Sequence, residues 1–573
     1  MKRTASAVLM IALAIMALAA PAAFAQAPAP KVTINGLIDN VMSYSQNMAN
    51  YNTGVFNRGD QMWYMRTRGR FDFIGEVGKA KGVLGIELDH VYGQTGSSES
   101  NFTNGGGATG AAVTPGVGSG FGTDGSFGLN SDVRGIIEIK WLYVEFPVPL
   151  IPVPTTMRLG AQPFGAAANY KLAMYANGDF AGINIVSQLT PNFKMVWTYV
   201  QVEENLTGPQ TNKNFAGVTT CNAAGNNPNN CQNRGDDFSV IAAPEITVFK
   251  GLDIKPMLSG FYAQGTTSGS ARQGRGGINT STNFTSGIGS SIGGMNERRY
   301  TVGADGRLRM GAFSLDPTIL FQFGNRGVNV QPGACVGGTE LQCSGAPTDG
   351  KKYYAKLSAL FVDLRAGYQL GPLLIEGLGV YTTGNSARNN TLHDVHYFQP
   401  LDTDTSYLGD WGTQLTSLGL DYLNAFNEAG GRMAYPGAAI GWDKYGRGQV
   451  GLKATYAITP ALSVMGTANG HWTAQAVDRN AAAVAGAGLA TNFMGCNGNP
   501  AATGASCGRD KSSYVGTEFA ALVSWRFADG LAWDNSFGYM IMGHALDAVT
   551  DPNVGPRNTN DPWMLTSRVR FTF

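Results

Sequence analysis

The chain has 573 residues, only 14% of them charged, and its 41 lysines and arginines balance 40 aspartates and glutamates to a net charge of +1. This balance argues against a nucleic-acid-binding protein, which normally carries a basic excess. After the N-terminus, no apolar stretch approaches the ~20 residues of a membrane-spanning helix, which excludes a helical membrane protein. The 78 glycines, roughly twice the usual share, and the 10% of aromatic residues favour a protein built from many strands.

The N-terminus has the pattern of a secretory signal peptide. Lys2 and Arg3 precede an apolar run over residues 7–20, and Ala23-Phe24-Ala25 forms a small-x-small cleavage site. We therefore expect residues 1–25 to be removed and the mature chain, residues 26–573, to be exported.

The six cysteines form three close pairs in segments rich in Gly, Asn and Ala. They are Cys221/Cys231, Cys335/Cys343 and Cys496/Cys507. An exported protein meets an oxidising compartment, where such pairs form disulfides. Six cysteines permit several connectivities, and sequence proximity favours the three local bridges.

Alternation of apolar and polar residues predicts about eighteen strands, each long enough to cross a membrane at a tilt. Their approximate spans are 31–45, 61–77, 82–92, 133–146, 154–162, 179–189, 192–203, 236–249, 252–263, 298–309, 312–325, 352–369, 373–384, 447–458, 461–476, 513–527, 531–545 and 562–573. The last span is the clearest, because Leu565, Val569 and Phe571 share one face and Arg568 and Arg570 the other.

The connections between these spans alternate strictly between short turns and long loops. A chain that runs up and down through one sheet, with short turns at one end and long loops at the other, has this pattern. A soluble β-sandwich also alternates, but it does not need connections divided so cleanly by length. Because only a closed barrel removes exposed strand edges in lipid, we predict an all-β, transmembrane, antiparallel β-barrel over residues 26–573.

The short turns "LTPNFK" and "ITPALS" and the aromatic-ended final strand "RVRFTF" resemble those of large Gram-negative outer-membrane porins. A looser resemblance is to alginate-export-type barrels. The porin resemblance implies a multi-pass barrel in the outer membrane, with short periplasmic turns and long extracellular loops. It also implies that Phe573 is an assembly signal for the barrel-assembly machinery and that the protein forms a homotrimer.

The polar face of each strand is expected to line the lumen. Closure of the first strand on the last places Arg66, Arg68 and Arg70 near Arg568 and Arg570. Across the lumen, a second basic wall is expected, and inward acids accompany both walls. The remaining predicted pore-lining residues are the basic Arg299, Arg307 and Arg309 and the acidic Asp39, Glu87, Asp89 and Asp305. Arginines stay charged and bind anions through a fork of donors, so these walls predict anion preference.

The longest connection, residues 385–446, is unusually long for a loop, and loops of such length usually have a specific function. We expect part of it to enter the barrel mouth and to set Asp394, Asp402, Asp404 and Asp410 against the basic walls. The alternative is an extracellular lid that never enters the lumen.

No nucleophile motif or cofactor motif is present, so we expect no enzyme, no cofactor and no metal. The sequence predicts passive diffusion of small hydrophilic solutes, with a weak-to-moderate anion preference and with lipid and solute as partners. The alternatives are an export channel for an anionic polysaccharide and a plugged barrel that acts as a structural protein or adhesin.

Overall fold

The computed structural model describes the strands of the barrel, the short turns and parts of four long connections. The described residues are 29–47, 61–92, 125–127, 133–134, 137–164, 175–176, 179–203, 237–263, 273–274, 278–279, 293–329, 352–384, 394–401, 411, 413–415, 446–477, 512–543 and 561–573. The strands in chain order are β1 (Lys31–Gln46), β2 (Gln61–Val77), β3 (Ala80–Tyr92), β4 (Gly125–Phe127), β5 (Val133–Arg134), β6 (Ile137–Pro147), β7 (Thr155–Pro163), β8 (Asp179–Thr190), β9 (Phe193–Glu203), β10 (Asp237–Ala242), β11 (Glu245–Phe249), β12 (Leu252–Ala263), β13 (Gln273–Gly274), β14 (Ile278–Asn279), β15 (Gly293–Met310), β16 (Phe313–Asn329), β17 (Lys352–Leu370), β18 (Leu373–Thr382), β19 (Asp394–Val395), β20 (Gly448–Thr459), β21 (Leu462–Val477), β22 (Ser512–Ala528), β23 (Leu531–Met542) and β24 (Trp563–Thr572).

These strands form a closed antiparallel barrel of eighteen strands, counted over the described residues with β10 and β11 as two parts of one strand. The barrel closes where β1 pairs with β24, from Leu37 opposite Thr572 to Gln46 opposite Trp563. The predicted fold class is therefore confirmed, and the predicted spans agree closely with the observed strands.

Two predicted spans are interrupted in the structure. The span 236–249 is divided into β10 and β11 at Ala243-Pro244. Proline has no amide hydrogen for a strand ladder, which explains the break. The span 133–146 enters the barrel only at Ile137, since the preceding residues Val133–Arg134 form the separate strand β5.

The short turns lie at one end of the barrel together with the C-terminus. The backbone of Phe573 exchanges two hydrogen bonds with Gly36, at 2.9 and 3.0 Å. Several of these turns contain a glycine in the left-handed region, for example Gly78 (φ 62°) and Gly371 (φ 56°). A residue with a Cβ adopts this conformation at a cost, which explains the choice of glycine there.

The outer face of the barrel is apolar. Along β1, Asp39 and Val41 are 0% and 1% exposed, whereas Ile34 and Met42 on the other face are 49% and 42% exposed. A closed barrel with an exposed apolar face spans a membrane, and even-numbered antiparallel barrels of this kind belong to bacterial outer membranes. In the described part of the chain, no helix is long and apolar enough to cross a membrane.

The interior is not uniformly polar, contrary to the expectation from the sequence. Phe261, Leu320 and Phe361 face inward from β12, β16 and β17 and are fully buried. Phe398, from the longest connection, packs on Phe361 with ring centroids 5.2 Å apart. Apolar side chains inside the barrel are removed from water by this covering segment, which is why inward positions tolerate them.

Candidate functional site: the barrel lumen

The closing seam of the barrel carries an arginine-rich inner wall. In the backbone register, Asp39 on β1 lies opposite Arg68 on β2 and Arg570 on β24. Arg66 and Arg568 both lie opposite Val41, which is two residues further along β1 towards the long-loop end. Hundreds of residues separate β24 from β1 and β2 in the chain, and only barrel closure brings them together.

Carboxylates interleave with the arginines at the seam. The Asp39 carboxylate lies 3.4 Å from the Arg570 guanidinium and 3.9 Å from that of Arg568. Arg568 also pairs with Asp534 on β23 at 2.6 Å. The charges on β23, β24 and β1 therefore form one continuous network.

Glu87 on β3 is the centre of the neighbouring network on β2, β3 and β6. Its carboxylate lies 3.4 Å from Arg68 and 3.6 Å from Lys140, and it accepts a hydrogen bond from Arg70. Lys140 in turn lies 2.9 Å from Asp179. The backbone of Asp89 pairs with that of Arg68, and its side chain lies outside the described part of the structure.

Two cations of this wall, Arg70 and Arg570, reach water more than the carboxylates that they contact. The side chains of Asp39 and Glu87 are 0% and 8% exposed, whereas those of Arg570 and Arg70 are 34% and 36% exposed. Arg66, nearer the long-loop end, is fully buried. An arginine side chain is longer than an aspartate, so at these two positions the guanidinium group lies over the carboxylate.

The predicted second basic wall faces inward, but each arginine has a carboxylate partner. These pairs are Arg299–Glu297 at 2.9 Å, Arg307–Asp253 at 3.7 Å and Arg309–Asp316 at 2.8 Å. The predicted acid Asp305 is fully buried and accepts a hydrogen bond from Thr318 at 2.7 Å. The charge of this wall is therefore locally compensated.

Part of the longest connection lies inside the barrel. β19 pairs with β17 in parallel, and Gln399 accepts a hydrogen bond from Arg299 at 2.8 Å. Gln322, near the middle of β16, donates to the backbone oxygen of Gln399 at 2.6 Å. Of the four predicted constriction acids, Asp402, Asp404 and Asp410 lie outside the described residues, as does the side chain of Asp394. The loop groups that meet Arg299 and Gln322 are the side-chain oxygen and the backbone oxygen of Gln399.

Trp411, also from this connection, is 2% exposed and lies among polar wall residues. Its indole nitrogen donates to Asn469 on β21 at 3.1 Å. The Lys453 ammonium lies 4.4 Å from the ring centroid and the Arg365 guanidinium 5.9 Å from it. Such cation–π contacts strengthen when they are removed from water.

A buried carboxylate on the barrel wall binds two backbone amides in the next part of the same connection. The Glu518 carboxylate on β22 accepts from the amides of Gln414 and Leu415, the second at 2.9 Å. Glu518 is fully buried, and His471 lies 3.7 Å from its other oxygen. Buried backbone amides need a hydrogen-bond partner. Because Glu518 is that partner for two of them, it fixes this part of the loop against β22.

A second connection meets the first inside the barrel. Tyr175 is fully buried, and its hydroxyl lies 2.7 Å from that of Ser259 on β12. The backbone oxygen of Tyr175 accepts from the amide of Leu401 at 2.8 Å. Nothing in the sequence indicated this contact, because neither segment has a periodic pattern.

Other predicted residues lie outside the described structure. The signal peptide and all six cysteines, Cys221, Cys231, Cys335, Cys343, Cys496 and Cys507, belong to this group, so the disulfides stay predictions. The role of Phe573 in assembly also stays a prediction.

No family model and no curated protein matches the sequence. The barrel is similar to OpdK of Pseudomonas aeruginosa, solved with vanillate, with 8% identity, a TM-score of 0.43 and coverage of 95% of this chain and 98% of that one. For a BenF-like porin from Pseudomonas fluorescens Pf-5, the identity is 9%, the TM-score 0.42 and the coverage 95% and 99%. For OccK5 (OpdH) of Pseudomonas aeruginosa, the identity is 10% and the TM-score 0.40, and the match covers 94% of this chain and 98% of that one. By its own topology and apolar exterior, the chain is a closed outer-membrane β-barrel with the architecture of a large Gram-negative porin.

Proposed function

We propose that the protein is an outer-membrane channel through which small hydrophilic solutes diffuse passively, with a weak preference for anions. An eighteen-stranded barrel encloses an aqueous passage wherever loops do not fill it. The described loop residues Tyr175, Phe398, Trp411, Gln414 and Leu415 lie against the inner wall on strands from β8 to β23.

One observation carries the anion preference: the guanidinium groups of Arg70 and Arg570 are exposed, while the carboxylates beside them are buried. A permeating ion therefore meets donors and positive charge first. The preference is weak because Asp39 and Glu87 compensate much of this charge at short distance.

The reversal potential in a potassium chloride gradient tests this preference. We expect the variant Arg70→Gln/Arg570→Gln to move the potential towards the cation limit, which is ~59 mV for a tenfold gradient of a monovalent ion. The matched control is Arg298→Gln, since Arg298 is exposed on the outer face of β15, next to the inward Arg299. An unchanged potential in the double variant would show that the seam does not line the path of the ions.

A plugged barrel is the second candidate, and the packing of Tyr175, Phe398 and Trp411 inside the barrel favours it. Deletion of residues 395–430 separates the two functions. A channel partly narrowed by this segment conducts before the deletion and conducts more after it. A plugged barrel shows no conductance in the full-length protein, and opens only on deletion.

A further inference from the structure

Two basic side chains lie close together on the outside of the barrel. Arg298 on β15 and Lys356 on β17 are both exposed, and β16 lies between their strands. In the backbone register, Asn325 on β16 lies opposite both of them. We call Arg298 and Lys356 the outer cation pair. Because neighbouring strands are ~4.8 Å apart, the backbones of the pair are separated by roughly 10 Å.

The outward direction of the pair follows from strand alternation. The next residues along the two strands, Arg299 and Leu357, are 1% and 5% exposed. Leu357 packs inside the barrel against Val395 of the longest connection. Successive side chains of a strand point to opposite faces, so Arg298 and Lys356 point away from the lumen. Among the side chains described on β12, β15, β16 and β17, they are the only charged ones on the outer face.

The outer cation pair differs from the inward arginines of β15 in having no anionic partner within the described residues. Arg299, Arg307 and Arg309 each contact a carboxylate on the inner wall. In the same part of the structure, no carboxylate lies within ion-pairing distance of Arg298 or Lys356. Two uncompensated positive charges therefore mark this sector of the outer surface as a site for an anion.

The outer surface beside the pair, on the side of the short turns, is aromatic. Tyr300 and Phe323 lie two residues further along β15 and β16, with ring centroids 5.5 Å apart. Tyr262 on β12 extends this surface, at 5.9 Å from Tyr300. Aromatic side chains on the outside of such barrels concentrate where the apolar band of the membrane meets the headgroups.

The length of the uncharged outer face agrees with this position. The outward residues of β15 carry no charge from Tyr300 to Met310, which is the last residue of the strand. Ten residue steps of ~3.3 Å, at the ~40° tilt typical of these barrels, span roughly 25 Å, which is the height of the apolar band. The outer cation pair therefore lies at the long-loop edge of this band. Long loops of such barrels are extracellular, so the adjoining lipid is that of the outer leaflet.

We propose that the outer cation pair binds the phosphate groups of lipid A, the phosphorylated glycolipid of the outer leaflet. Arginine offers a fork of donors to a phosphate, lysine offers a point charge, and the Asn325 amide between them is a further donor. Lipid A carries one phosphate at each end of a disaccharide, so each cation can meet its own phosphate. The aromatic surface favours a lipid over a soluble anion, because acyl chains cover the rings while the headgroup meets the charges.

Native mass spectrometry of the purified barrel, titrated with bisphosphorylated lipid A in mild detergent, tests the site. We expect Arg298→Gln/Lys356→Gln to bind about 25-fold more weakly, because each basic residue near an anionic lipid contributes a factor of ~5. The matched control, Lys79→Gln/Lys250→Gln, removes the same charge from exposed short turns at the other end of the barrel and should bind like the wild type. Equal binding by the wild type and the first variant would overturn the proposal.

The same titration with other lipids identifies the headgroup. Monophosphorylated lipid A should bind about fivefold more weakly than the bisphosphorylated form, since it leaves one cation without a phosphate. Phosphatidylglycerol that binds as tightly as bisphosphorylated lipid A would contradict the assignment to the glycolipid. Heat-modifiable gel mobility shows that each variant is folded. The pair lies outside the lumen, so failure of this proposal leaves the proposed channel function untouched.

Discussion

Asp39 and Arg570 are 531 positions apart in the chain, and their side chains lie 3.4 Å apart across the closing seam of the barrel. This pair joins the first strand to the last on the inside of the lumen. Asp39 is fully buried, and it balances the arginines of β24 together with Asp534, which lies 2.6 Å from Arg568.

Asp39→Asn is expected to affect both stability and selectivity. Arg570 is partly exposed and Arg568 keeps Asp534, so the loss of Asp39 should cost less than the removal of one partner from a fully buried pair, about 1–3 kcal/mol. Urea unfolding in detergent measures this loss, and the reversal potential should move towards the anion limit because the wall gains positive charge. Asp529→Asn, in an exposed short turn, is the control. If both variants behave like the wild type, the seam network is not the source of the lumen field.

Trp411→Ala should loosen the loop segment that lies inside the barrel. The indole loses its hydrogen bond to Asn469 and its contacts with Lys453 and Arg365, and truncation of a buried tryptophan costs about 3–5 kcal/mol. We expect a larger and noisier single-channel conductance. The control is Trp525→Ala. Trp525 lies on the outer face of the barrel and is 44% exposed, so its removal should leave the conductance unchanged. A wild-type conductance trace from Trp411→Ala would place this segment away from the ion path.

Glu518→Ala tests the anchor of the same segment by hydrogen exchange. The amides of Gln414 and Leu415 lose their acceptor, and a buried hydrogen bond left unmade costs about 1–3 kcal/mol, which corresponds to roughly 5–150-fold faster exchange. The matched variant Glu518→Gln keeps a side-chain carbonyl oxygen and should retain most of the protection. Equal exchange in the wild type and Glu518→Ala would mean that other contacts hold the segment.

Gly36→Val tests the docking of the C-terminal aromatic residue. A Cβ atom at Gly36 would lie 2.1 Å from the ring of Phe573, so one of the two must move. Overpacking of this kind costs about 1–3 kcal/mol. Phe573→Ala removes the obstructing ring, so the double variant should lose less stability than the sum of the two single variants in urea unfolding. Strict additivity would show that the ring does not rest on Gly36 in the folded protein.

The strands were predictable because the barrel imposes local rules on the sequence. Alternation in segments such as residues 562–573 follows from a wall with lipid on one side, and the breaks in this alternation mark the turns. Pro244 was visible as a residue, but a period-two pattern continues across it, so the division of β10 from β11 was not predicted.

The lumen was predicted only in part. Closure of the first strand on the last follows from the need to remove exposed strand edges in lipid, and it places Arg66, Arg68 and Arg70 near Arg568 and Arg570. The partners of these arginines depend on register, which a one-residue shift would change entirely. The sequence therefore indicated the basic seam but not its buried carboxylates.

The sequence by itself determined the class of the protein. The alternation of short turns, long loops and amphipathic strands is a local pattern, so neighbouring residues are enough to recognise it. Tertiary structure alone decided which long connection enters the barrel and what it contacts. Phe398 and Trp411 lie in a segment without periodicity, and their partners Phe361 and Asn469 are distant in sequence. Such contacts arise from packing in three dimensions, and no local pattern encodes them.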